Sequence, residues 1–108
     1  MFSKSFTCSV TTDGDGNFQA STPVSASHLV SVHVDVKATL LSPADTELNG
    51  TFAIAGSQAN QFHGSTNETV DLGSWKVPAG STTAVTSGST NPARANTEIS
   101  VRLDAHLV

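Results

Sequence analysis

The stretch Leu29-Val30-Ser31-Val32-His33-Val34-Asp35-Val36-Lys37-Ala38-Thr39-Leu40 constrains the fold more than any other part of the chain. Val30, Val32, Val34, Val36, Ala38 and Leu40 fall on one parity, and Ser31, His33, Asp35, Lys37 and Thr39 on the other. A strict period of two with β-branched residues on the apolar side is the pattern of a half-buried strand. At a helical period the valines would scatter round the cylinder, and their branching would weaken it. The stretch therefore predicts a strand about 36 Å long, at about 3.3 Å per residue.

Similar alternation recurs along the chain. Phe6, Cys8 and Val10 point inward from a first strand within Phe2 to Thr12, whose other parity is Ser and Thr. Cys8 in that row reads as a small buried hydrophobe, and as a single cysteine it excludes an intrachain disulfide. Asp13-Gly14-Asp15-Gly16-Asn17 is a hairpin turn signal, because glycine supplies the positive φ of tight turns. The same residues place oxygen ligands like the start of a calcium loop. Phe18 then stands where that loop needs glycine, and Val24 where it needs glutamate. A second strand runs from Phe18 to Pro23, and the segment 23–27 connects it to the long valine strand.

Pro43 ends the valine strand, and Leu48, Gly50, Phe52 and Ile54 share a parity in a fourth strand from Glu47 to Ala55. The polar, poorly periodic segment Gly56 to Thr66 reads as a loop that only Phe62 would pin to the core. From Glu68 to Val77 the alternation slips at Gly73-Ser74, which predicts a bulge that moves Trp75 and Val77 to the other parity. Ser81 to Asn96 offers one short strand around 82–86 and then a long loop, mobile or ordered by a partner. The last strand, Asn96 to Val108, alternates Ile99, Val101, Leu103, Ala105 and Leu107 inward. No amphipathic helix is evident. The expectation is one domain, residues 1–108, built as an all-β antiparallel β-sandwich or jelly-roll-like fold of about seven strands.

Charged residues are only 13% of the 108 and the net charge is −4, while Ser and Thr exceed a quarter. Lys4, Lys37, Lys76, Arg94 and Arg102 are scattered, with no tyrosine and one tryptophan, so neither a basic stripe nor a stacking platform for nucleic acid is present. No leader-like segment follows Met1 and no apolar run approaches a membrane span, so no membrane association is expected and the chain is read as made in a reducing cytoplasm.

The one constellation with chemical potential is His33-x-Asp35 and Asp104-x-His106, each placing an imidazole and a carboxylate on one face of a strand. If the two strands pair antiparallel with Asp35 opposite Arg102, then His33 lies opposite Asp104. Read functionally, His33, Asp35, Asp104 and His106 are candidate ligands for zinc or another first-row metal. Read plainly, they form a solvated face with cross-strand charge pairing. No serine sits on a nucleophile elbow, so no enzyme activity and no cofactor is expected. As an interaction surface, the same face offers His33, Asp35 and Arg102, with His28, His63, Phe62 and the 58–62 segment adding contacts. Trp75 is the strongest single anchor candidate, against its alternative as a core ring beside Phe52 and Ile54.

Thr7-Cys8-Ser9-Val10-Thr11-Thr12-Asp13-Gly14-Asp15-Gly16-Asn17, the Thr22-Pro23 step and Val30-Ser31-Val32-His33-Val34 together resemble the small β-sandwich accessory proteins of tailed-bacteriophage virions, of decoration (cement) or neck type. The resemblance covers about the first third of the chain and carries no functional residue set. It implies a virion structural protein, assembled in the host cytoplasm, most simply a capsid decoration protein. Proteins of that kind form homo-oligomers, often trimers, and tie neighbouring subunits of the major capsid protein together. A neck or tail component is the alternative location. A ligand-binding β module, taking a metal on the His/Asp face or a sugar near Trp75, is the alternative class.

Overall fold

Strands pair from the two ends of the chain inward. The computed structural model describes residues 3–26, 31–54 and 57–108. Its strands are β1 (Ser3–Thr11), β2 (Asn17–Ala26), β3 (Val32–Leu41), β4 (Glu47–Ile54), β5 (Asn60–Ser65), β6 (Thr69–Val77), β7 (Gly80–Asn91) and β8 (Glu98–Leu107). β1 pairs with β8, β2 with β7, β3 with β6 and β4 with β5, all antiparallel. Two further antiparallel pairs, β3–β8 and β4–β7, join these into sheets of order β1-β8-β3-β6 and β2-β7-β4-β5. One long nested hairpin rolled into two facing sheets is the jelly roll. The all-β antiparallel sandwich expected from the sequence is the fold observed. The readings that fell on Phe2, His28, Leu29, Val30 and Ala55 lie outside the described residues.

Eight strands are present among the described residues where seven were expected: β5 is the added one, and the short strand expected around 82–86 is longer than expected. The supposed 56–66 loop contains β5, whose inward residues are Phe62 and Gly64. The short strand expected around 82–86 extends over Gly80–Asn91 as β7, the longest strand at 12 residues, hydrogen-bonded between β2 and β4, and takes up the first part of the expected loop. β2 also runs past Pro23 to Ala26; it is an edge strand, where a missing N–H can face away from the ladder. Leu107, expected inward, is 44% exposed, because the core row stops at Ala105. The slip at Gly73 is present: Val36 faces Gly73 and Lys37 faces Asp71, so Leu72 is the extra residue and Leu72, Trp75 and Val77 all turn inward.

One core lies between the sheets. Val34, Val36, Ala38 and Leu40 of β3 and Ile99, Val101, Leu103 and Ala105 of β8 line one wall. Phe18, Leu48, Phe52, Ile54, Phe62 and Ala84 line the other. Across that second wall runs the row Phe18–Gly88–Gly50–Phe62, large at the edge strands and empty at the centre. A Cβ on Gly50 would lie 2.8 Å from Phe62 Cζ, so the ring lies over the glycine. A Cβ on Gly88 would lie 2.1 Å from the Asn49 carbonyl oxygen and 2.6 Å from Gly50 Cα. The two central strands therefore approach more closely there than any side chain permits.

Buried threonines close one end of the sandwich. Thr90 Oγ1 accepts the Arg94 N–H at 2.7 Å and donates to the Gly16 carbonyl at 3.3 Å. Thr12 Oγ1 accepts the Thr97 N–H at 2.9 Å and donates to the Arg94 carbonyl. Arg94 Nε donates to Thr46 Oγ1 at 3.0 Å. The segment 92–97 is thus ordered by the chain's own hydrogen bonds rather than awaiting a partner. Gly16, at φ 80°, has no room for a Cβ beneath Thr90 Oγ1 and the Arg94 amide.

Candidate functional site

The jelly roll leaves two outer faces, and their chemistry differs. On β1-β8-β3-β6 the outward parity is charged and ordered in rows. Asp35 lies between His106 of β8 and Ser74 of β6. Lys37 lies between Asp104 and Asp71, and Thr39 between Arg102 and Thr69. Ser74 and Ser5 hydroxyls donate to Asp35 and Asp104 at 2.5 Å each, and Arg102 Nε lies 3.5 Å from Asp104 Oδ1. Opposite charges and hydroxyl–carboxylate bonds across exposed strands contribute about 0.2–1 kcal/mol per pair.

The expected antiparallel pairing of the valine strand with the last strand is present, but four residues out of the expected register. Asp35 faces His106 instead of Arg102, and Asp104 faces Lys37 instead of His33. His33 faces Lys76 and its carbonyl accepts the Val108 N–H at 3.0 Å. An even slip preserves both parities, and either register sets opposite charges together, so charge alone did not decide between them. The observed register moves Asp104 away from His33 and sets Asp35 opposite His106. Among the described residues no cluster of three or more His, Cys, Asp and Glu is placed to hold a metal ion. In the row Ser74–Asp35–His106 the carboxylate sits in the middle and takes the serine hydroxyl, whereas activating a serine requires the imidazole there.

The outer face of β2-β7-β4-β5 carries amides and hydroxyls. Its rows read Asn17–Ser89–Asn49–His63 and Gln19–Ser87–Thr51–Gln61. An open depression of about 580 Å³ is lined by Asn49, Thr51, Gln61, His63 and Ser87, with Gly50, Gly88 and Phe62 completing it. Thr51 and Ser87 hydroxyls are 3.2 Å apart, and Asn49 Oδ1 bonds His63 Nδ1. His63 Nε2 lies 3.5 Å from Glu47 Oε2. Half of this face stands on strands that read as loops in the sequence. The signal that would have found it is the Ala84-x-Thr86-x-Gly88-x-Thr90 parity, small residues at a period of two.

Trp75 and Phe62 do not serve as surface anchors in this fold. Trp75 is 5% exposed, meets Phe52 edge-on with centroids 5.0 Å apart, and donates its Nε1–H to the Leu72 carbonyl at 2.9 Å. Phe62 is 6% exposed and covers Gly50. Arg102, Asp35 and His33 remain outward. Cys8 is buried, and burial pushes its thiol pKa up. The Asp13 carboxylate accepts the Asn17 and Asp15 N–H groups at 2.9 and 2.8 Å, and these bonds, that to Asn17 first, hold its pKa below the usual value. Its oxygen therefore closes the turn.

No protein-family model matches the chain, and no curated protein does. Among solved structures, the crystal structure of Podospora anserina GH26-CBM35 beta-(1,4)-mannanase is similar, with a TM-score of 0.62 at 8% identity. The match covers 94% of this chain and 28% of that one. At that identity the likeness extends to the β-sandwich fold alone.

Proposed function

We propose that the chain is a non-enzymatic structural protein of a virion, of the capsid-decoration (cement) kind, acting through its charged outer face. The observation that carries this reading is the row array on β1-β8-β3-β6. It places His33, Asp35, Lys37, Arg102 and Asp104 on one sheet face, a surface suited to a protein partner more than to a small molecule. The jelly roll itself is an architecture of viral capsid and lectin domains. The long edge strands β1 and β2 offer unpaired backbone to a neighbouring copy.

Sedimentation velocity and a shell-binding assay test the proposal. The expected results are a trimer at micromolar concentration and saturable binding to expanded heads of the phage that encodes the chain, weakened by the charge reversals Asp35→Lys and Arg102→Glu. A monomer that leaves such heads unbound at low salt overturns it.

A further inference from the structure

We infer that the depression on the outer face of β2-β7-β4-β5 binds a neutral, polyhydroxylated ligand, a segment of an uncharged glycan chain. This site is on the opposite sheet from the contact face proposed above and stands without it. Asn49, Thr51, Gln61, His63 and Ser87 line it, and each of these side chains both donates and accepts hydrogen bonds. Adjacent hydroxyls of a sugar ring do the same, and a side-chain amide engages two of them at once. A phosphate or carboxylate ligand would instead call for lysine or arginine, and none lines the depression. Beside the depression, His63 Nε2 lies 3.5 Å from Glu47 Oε2.

The placement is rigid. Asn49, Thr51 and Ser87 stand on the two central strands, which the Gly50–Gly88 approach holds together. The Thr51–Ser87 and Asn49–His63 contacts fix four of the five groups. The Gln61 side chain makes no hydrogen bond to the described residues, which leaves its full amide for a ligand. At about 580 Å³ the depression matches the size of ligand clefts, and its openness along the sheet suits a chain passing over it. The described aromatic rings lie inside or against the core, so hydrogen bonds exchanged with water carry the affinity and the Kd is on the order of 0.1–1 mM.

The test is an NMR titration of the full ¹⁵N-labelled chain with neutral hexasaccharides of β-1,4-glucan, β-1,4-mannan, β-1,4-xylan and α-1,4-glucan, and with an oligogalacturonide as the anionic control. At least one neutral oligomer should give saturable shifts at the Asn49 and Gln61 side-chain amides and the Thr51 and Ser87 backbone, with the anionic oligomer weaker. Gln61→Ala should weaken binding roughly 3- to 10-fold with an unchanged melting temperature. Ser87→Trp should abolish it by filling the depression, and a folded-state spectrum shows whether that variant is intact. Absence of saturable shifts, shifts confined to the end loops, or preference for the anionic oligomer each overturns the inference. Shell binding by the opposite face is unaffected in every case, so the two proposals fail separately.

Discussion

Replacing Gly88 by alanine tests the packing of the central strands directly. The new Cβ would stand 2.1 Å from the Asn49 carbonyl oxygen, where real Cβ contacts essentially never fall under 3.0 Å. β4 would have to retreat from β7 by roughly 1 Å, against hydrogen bonding on both its sides. Overpacking of this kind costs about 1–3 kcal/mol, and the stretched ladder bonds add about 1 kcal/mol. Loss of glycine's freedom in the unfolded chain returns about 0.4–1 kcal/mol. The net expectation is about 2–3 kcal/mol of destabilisation, a fall in Tm of about 10 °C. Urea denaturation followed by the fluorescence of buried Trp75 measures it, with the slope unchanged. Gly14→Ala is the control: nothing lies within 4 Å of its Cβ, so that variant should be neutral or slightly more stable. Gly50→Ala meets Ser87 O at 2.4 Å from the other side of the same contact, so the double variant should cost less than the sum of the singles. A Gly88→Ala midpoint equal to that of Gly14→Ala would refute the close approach and, with it, the rigid floor assigned to the polar depression.

Three further outcomes follow from buried polar groups. Thr86 Oγ1 is buried beside the Cys8 thiol without a hydrogen bond of ordinary geometry, so Thr86→Val should stabilise by about 1 kcal/mol, a Tm rise of about 4 °C by calorimetry. Thr90→Val strands the Arg94 N–H and frees the 92–97 segment, at about 1–2 kcal/mol, and limited trypsinolysis should show new cleavage after Arg94. Burial raises the Cys8 pKa, so the native state holds the thiol proton more tightly than the unfolded chain does. Stability is therefore intact below the ordinary thiol value of 9.0 and declines as pH rises past it, a decline that Cys8→Ala should remove in denaturant midpoints measured from pH 8 to 10.5.

Where inward positions are large and apolar, the sequence displayed the fold. Val34, Val36, Ala38 and Leu40 mark β3 by period alone, and the phase change at Gly73 marks the bulge. Most of β7 was hidden because its inward residues, Ala84, Thr86, Gly88 and Thr90, are small or polar. They are small because Phe18 and Phe52 stand beside them, facing Gly88 and Thr86. A strand that makes room for its neighbours' rings shows no hydrophobic period of its own. β5 was hidden the same way, with Gly64 beneath Leu40 and only Phe62 apolar. The strand pairing behind the His/Asp constellation was legible and its register was not, since a four-residue slip leaves parity and charge complementarity alike intact. The amide face was invisible for the same reason as β5 and β7, which together supply half of its two rows.

A single core serving two sheets separates the two faces thermodynamically. Asp35, Lys37 and Arg102 are charged, and the proposed contacts with a partner would weaken with salt over a Debye length of about 8 Å at 0.15 M. Asn49, Thr51, Gln61 and Ser87 act by neutral hydrogen bonds, which salt barely screens. If both proposals hold, raising ionic strength should strip the chain from a protein surface while leaving its glycan contact in place. One small domain can then hold a protein partner on one side and a polyhydroxylated surface on the other, with the valine strand contributing to the core that joins them. His33 and Asp35, candidate metal ligands by sequence, belong to the charged side of that division: the register that sets Asp35 opposite His106, and Asp104 opposite Lys37 rather than His33, leaves them in rows of the kind the proposed protein contact would use.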